Sequence, residues 1–235
     1  GTSTVSNTDG SITSSVRANL SAGLSIVSFQ GNGLANQTVG HSLNAKPSIV
    51  IYKNRDSTSG WRVIPTFIND RHYLALNAII PVYSTAPSYF GTNTSSVLGV
   101  SGSNIPNINF NGDNIIAYCF APVEGYSAFG TYAANGSSSD GPFVFTGFAV
   151  AWLMTKRTNR NASWEIHDLR RPGYNPQDER LLADNSNTEA NGNNVDFLSN
   201  GFKVRNSFSG MNEANGDTYL YIAFAEHPFK TARAR

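Results

Sequence analysis

Charge is scarce in this chain. Only 14% of its 235 residues are Asp, Glu, Lys or Arg, against about a quarter in an ordinary globular protein. Its 17 basic and 16 acidic side chains leave a formal net charge of +1, so no long-range field recruits nucleic acid or an anionic membrane surface. There is one cysteine, Cys119, and one thiol cannot close an internal disulfide. No apolar run approaches the ~18 residues that signal a membrane-spanning helix. No long segment carries a 3.6-residue apolar period, and modest helical character is confined to Gln177–Ala183. The G-x-S-x-G of a hydrolase nucleophile elbow is missing. His41, His72, His167 and His227 are scattered without zinc-ligand spacing. The expectation is a non-enzyme with no cofactor and no metal centre.

Asn, Ser, Thr and Gly take the place of the missing charge. Short polar side chains cap turns, and Gly supplies positive φ, so the composition points to turn-rich β structure. Short stretches rich in Val, Ile, Tyr and Phe lie between these clusters, as strands require. They predict strands near 24–30, 48–54, 60–67, 72–79, 96–100 and 114–121. The class is all-β.

The chain also contains similar phrases in both halves, the usual mark of an internal repeat. "NGDNIIAYCFA" at Asn111–Ala121 is matched by "NGDTYLYIAFA" at Asn215–Ala225. "PSIVIYKNRDSTSGW" ends at Trp61 and "VAWLMTKRTNRNASW" at Trp164, and "FQGNG" at Phe29–Gly33 meets "YAANG" at Tyr132–Gly136. These matches predict two tandem, related antiparallel β-sandwich repeats of jelly-roll or lectin-like type, at 22–124 and 125–235. Residues 1–21 read as a polar connector at the end of something longer. The alternative is that the halves merge into one larger sandwich. Within the repeated phrase, Asn-Gly is a turn signal, and the strand after it is apolar on both faces, as an interior strand is. The bulky set, Ile116, Tyr118 and Phe120 with Leu220, Ile222 and Phe224, is expected to face the core.

"GHSLNAKPSIVIYKNRDSTSGWRV", "AYCFAPVEGYSAFGTY", "DFLSNGFKVR" and "YIAFAEHPFK" resemble a duplicated domain at the C-terminal end of tail-fibre-like proteins of marine phages. The resemblance covers nearly everything after residue 20. It implies a virion protein, part of a tail fibre or spike that recognises a bacterial surface glycan or receptor. It also implies a homotrimer and contacts to other virion proteins, and it carries no catalytic residues.

The densest charge lies in "EIHDLRRPGYNPQDER", Glu165–Arg180, whose counterpart "RVIPTFINDRHY" is shorter and more apolar. A loop that gained charge in one copy only is where function is grafted onto a scaffold. The candidate ligand-binding residues are therefore His167, Asp168, Arg170, Arg171 and Tyr174. The two arginines suit bidentate contact with carboxylate or phosphate groups, and Tyr174 suits stacking on a sugar ring. The bland counterpart is a solvated or subunit-contact loop. Paired carboxylates for glycoside cleavage would have to come from Glu165, Asp168, Asp178 or Glu179. Trp61 and Trp164 hold matching positions and read as core residues. "DNSNTEANGNNVD", Asp184–Asp196, offers oxygen ligands, but Glu189 stands where an EF-hand loop needs Gly.

Overall fold

The computed structural model describes residues 3–84, 91–100, 108–171, 174–192 and 195–227. Among them there is no helix, and every ladder between strands is antiparallel. Gln177–Ala183, the stretch with helical character, instead holds a bridge from Gln177 to Val195 and a two-residue strand. Tertiary contacts divide the chain into two units. The first is Gly1–Leu76 with Tyr83–Pro122, and the second is Asn77–Val82 with Val123–Arg235.

The first unit contains β1 (Val5–Asn7), β2 (Ser14–Asn19), β3 (Leu24–Gln30), β4 (Gln37–Gly40), β5 (Ile49–Asn54), β6 (Arg62–Pro65), β7 (His72–Ala75), β8 (Tyr83–Ser84), β9 (Val97–Val100) and β10 (Asn114–Phe120). One sheet runs β1-β2-β3-β10-β5-β6-β7-β8, and β4 pairs with β9. Val16, Val27, Val50 and Ile115 from the sheet share one apolar cluster with Val39, Leu98 and Val100 from the β4–β9 pair. The supposed polar connector is therefore corrected: β1 and β2 extend the sheet beyond β3. Composition hid β2 because its solvent face carries Ser15, Arg17 and Asn19, while Val16 is fully buried and Ser14 donates to the Gly40 carbonyl at 2.8 Å.

The second unit contains β11 (Ser127–Ala133), β12 (Phe143–Phe145), β13 (Val150–Arg157), β14 (Trp164–Asp168), β15 (Leu181–Leu182), β16 (Val195–Leu198), β17 (Gly201–Val204) and β18 (Thr218–Ala225). Its sheets run β11-β18-β13-β14-β15 and β12-β17-β16. Leu153, Tyr219, Tyr221 and Ala223 from the first share a cluster with Val144, Val195, Phe202 and Val204 from the second. Asn77–Val82 belongs to this unit through specific bonds. Val82 N donates to Thr158 O at 2.8 Å, Ala162 N to Ile79 O at 2.9 Å, and the buried Lys156 ammonium to Ile79 O at 2.8 Å and to Ala162 O.

β10 and β18 are interior strands, each flanked on both sides, but the expected facing of β10 is reversed. Ile115, Ala117 and Cys119 point into the core, and Ile116, Tyr118 and Phe120 lie half-buried on the other face. The small side chains are inside because Tyr52 and Phe29 on the flanking strands already fill the core cluster beside them. In β18 the core set is Tyr219, Tyr221 and Ala223, while Leu220 and Ile222 are buried on the opposite face. The Asn-Gly turns close as expected of Gly: Asp113 N donates to Phe110 O at 3.2 Å with Gly112 at φ 84°, and Asp217 N to Ala214 O at 3.1 Å with Gly216 at φ 85°.

A buried asparagine ties the start of each interior strand to the turn after its neighbour. Asn109 accepts from Asn32 N at 3.0 Å and donates to Leu34 O at 3.0 Å; Asn212 accepts from Asn135 N at 2.9 Å and donates to Ser137 O at 3.1 Å. Replacing either by alanine strands a buried donor and acceptor. Each substitution is expected to cost its own unit about 1–3 kcal/mol, read as a shift in the denaturation midpoint. A loss below ~0.5 kcal/mol at both would show that water replaces these bonds.

Candidate functional site

The charged loop of the second unit is largely satisfied by its own protein. His167 sits on β14 opposite Leu153 and is fully buried, so the sequence-based role for it in ligand contact is corrected. Asp168 spends its carboxylate locally, accepting from Arg170 N at 2.7 Å and lying 3.7 Å from Arg171 Nε. Arg171 also donates Nη1 to Glu189 at 2.7 Å, so its guanidinium is not poised for an external anion. Arg170 lies on the surface with Nη2 3.6 Å from Glu226, and Tyr174 is 72% exposed. These two alone among the five remain presented to solvent.

The stretch Tyr174–Gln177 docks as if it were one more strand. Asn175 donates Nδ2 to Phe197 O at 2.8 Å and accepts from Phe197 N at 2.9 Å. Gln177 and Val195 exchange backbone bonds at 2.8 and 3.2 Å. The edge of β16 is thereby covered. The same region holds a buried ion pair, in which Arg180 Nη1 donates to both Glu165 oxygens at 2.8 and 2.9 Å, with its guanidinium 4.4 Å over the Phe208 ring. Burial pushes the Glu165 carboxyl up to about 7, against the opposing pull of Arg180. Gly210 packs so tightly here that a Cβ would fall 2.2 Å from Glu165 Cγ. Glu165 is thus walled from solvent. In the acidic loop, Asp184 accepts from Trp164 N at 2.7 Å and Glu189 is held by Arg171. Trp164 is fully buried, as its core reading requires, and Trp61 is half-buried with its ring 6.3 Å from that of Tyr118.

An open concavity lies in the first unit, where sequence reasoning placed no site. A cleft of about 670 Å³ is lined by Asn36, Gln37, Thr38, Asn69, Asp70, Arg71, Gly91, Thr92, Thr94 and Val97. Three segments meet there. The β6–β7 turn is closed by Asn69 Oδ1 accepting from Arg71 N at 2.9 Å. Asn93, buried beneath, donates to Asp70 at 2.8 Å and accepts from Gly99 N at 3.1 Å, joining this turn to β9. Gly91 crosses Gly99 so closely that a Cβ on Gly99 would lie 2.2 Å from the Gly91 carbonyl carbon. His41, fully buried, accepts from Leu43 N and donates Nε2–H to Thr94 O at 3.2 Å, fixing the wall behind Thr94. On the third side Asn36 holds a left-handed φ of 55°. Gln37 is anchored by Ser11 and Asn32, each at 3.0 Å. Asn69 and Thr92 are among the residues that line the cleft, and Thr92 is exposed. The signal that could have located it was the recurrence of Asn and Thr in "LANQT", "FINDR" and "GTNTS", three loops distant in sequence.

No curated protein and no solved structure matches this chain. One profile does, over residues 1–228, and it is that of a domain of unknown function. The chain belongs to that family, DUF7483.

Proposed function

We propose that this chain is the C-terminal module of a phage tail fibre or spike, a non-catalytic element that recognises a glycan on the bacterial surface. The virion setting, with its homotrimer and neighbouring virion proteins, rests on the resemblance of "AYCFAPVEGYSAFGTY" and "YIAFAEHPFK" to phage fibre sequences. The observation that carries recognition is the open polar cleft of the first unit. Its size falls in the range of small-ligand sites, but its lining of amides and hydroxyls suits a hydrated, polyhydroxylated ligand better than an apolar one. Many copies on one particle would multiply weak single-site binding.

The two units are read as tandem β-sandwiches from a duplicated ancestor. Supporting this, β3-β10-β5-β6-β7 and β11-β18-β13-β14-β15 follow the same order, and Asn109 and Asn212 make corresponding bonds. In the second unit the longer loop covers the edge of β16 with Tyr174–Gln177.

The test is binding of fluorescently labelled protein to host cells. Thr92→Trp, which fills the cleft from an exposed position, is expected to weaken cell binding at least tenfold. Arg170→Ala should leave it within about twofold. The opposite pattern would move the site to the second-unit loop. A second reading, a structural virion part, is favoured by Phe143 and Phe145, 46% and 66% exposed on the edge strand β12. Ordered burial of β12 against another subunit in the intact particle, with no cell binding by isolated protein, would establish it. Release of reducing sugar from host polysaccharide would instead make the module a glycan-degrading spike.

A further inference from the structure

We infer that β12 is a self-association edge, which pairs antiparallel with β12 of a second copy of this chain across a twofold axis at Val144. The sheet β12-β17-β16 has two edges. That of β16 is covered by Tyr174–Gln177. Among the described residues, no strand pairs with the outer side of β12. The Pro142 carbonyl accepts from Val204 N at 3.0 Å, and Thr146 N donates to Asn200 O at 3.0 Å. Backbone groups alternate in direction along an antiparallel strand. Those of Pro142, Val144 and Thr146 therefore turn to β17, and those of Phe143 and Phe145 turn outward. An edge that presents free N–H and C=O groups is a template for a further strand.

The occupant is a second copy because the edge is complementary to itself, as a twofold contact requires. The stretch "GPFVFTG", Gly141–Gly147, has the same pattern in both directions about Val144. Laid antiparallel on itself, it sets Phe143 against Phe145 of the second copy, and each such pair exchanges both N–H···O bonds. Gly141 then meets Gly147, so no side chain obstructs either end. Phe143 and Phe145 are 46% and 66% exposed, while Val144 is buried in the core of its own unit. No charged side chain stands in the stretch to repel a copy, and Asp140 just before it is paired with Lys203 at 2.6 Å. The area is small. At about 200 Å² for a whole buried phenylalanine, the exposed fractions offer roughly 200 Å² per copy, against about 800 Å² per partner in a stable complex. A single pair is therefore weak, and it gains where many copies are held in one assembly. A twofold contact cannot close a threefold ring, so in the proposed homotrimer it links one trimer to the next. The inference does not rest on recognition by the first-unit cleft.

The experiment uses the full chain alone, by sedimentation velocity from about 0.02 to about 1 mM, the range in which weak complexes form. A dimer whose share rises with concentration is expected, with no larger species. Phe145→Lys places on the edge the kind of charge that blunts natural edges and should weaken association about tenfold or more, leaving the thermal midpoint unmoved. Phe145→Pro removes an outward N–H without taking a bond from β17, a place where edge strands accept proline, and should weaken it to a similar degree. Residue-resolved hydrogen exchange then separates strand pairing from contact between rings alone. The Phe143 and Phe145 amides should exchange about threefold or more slowly at the highest concentration than at the lowest, while the Val144 amide, already turned to β17, stays unchanged. A chain that sediments as a monomer throughout would overturn the inference. So would association that both variants leave intact, a dimer without added protection at Phe143 and Phe145, or growth past the dimer, which a closed twofold contact forbids.

Discussion

Asp217→Ala is expected to cost the second unit about 3–5 kcal/mol, the usual result of stripping one member from a buried ion pair. The Arg157 and Asp217 side chains are 3% and 2% exposed and paired with each other, with Glu213 as a further partner of the arginine. Asp217 also accepts from Asn159 Nδ2 at 3.0 Å. Removing the carboxylate leaves the guanidinium in the interior with only a half-exposed glutamate for company. A contact just before β10 in the first unit is uncharged on one side, with Asn54 Nδ2 donating to Asp113 at 2.7 Å. Asp113→Ala should therefore cost about 1–3 kcal/mol. Denaturation followed by tryptophan emission in a Trp61→Phe background reports the second unit alone, because Trp152 and Trp164 both lie there. If Asp217→Ala loses under ~1 kcal/mol, water or Glu213 has taken over the cation and the pair is not a support of the fold.

Much of the fold was legible because it is written in local chemistry. Alternating apolar runs placed β3, β5, β6, β7, β9 and β10 within a few residues, and the repeated Asn-Gly located two turns with glycine at positive φ. What alternation cannot give is the side on which the second layer lies. A strand apolar on both faces reads the same either way, so only the packing of Tyr52, Phe29 and the β4–β9 pair shows that Ala117 and Cys119 are inside. β2 escaped notice for a related reason: one buried Val16 among polar residues is too little to register as a strand.

The site was harder still. A dense charge run suggested function at Glu165–Arg180, yet in a chain with few charges such a run also supplies the ion pairs that hold a long loop down, and Arg171 and Arg180 are so used. The cleft draws on three loops, none of which is unusual alone.

Glu165 gives the second unit a pH dependence opposite to that of ordinary salt-bridged carboxylates. Its folded-state pKa is raised from 4.5 to about 7, by burial first and despite Arg180. Between those values the folded protein keeps a proton that the unfolded chain has released. Glu165's contribution to stability is therefore fully present below about pH 4.5 and is lost as pH rises through about 7. The shift corresponds to about 3 kcal/mol across that window. Lys156, whose pKa burial lowers to about 8, stays protonated in both states below pH 7, so it does not blur the measurement. Urea denaturation at intervals from pH 5 to 7.5 should show the decline in the parent protein. Glu165→Gln keeps the shape and an acceptor for Arg180 but cannot titrate, so its curve should be flatter by about 2–3 kcal/mol over the same range. Parallel curves would mean that Arg180 holds Glu165 ionised throughout. In that case the pair, not the proton, keeps β14 attached to the loop that closes over β16.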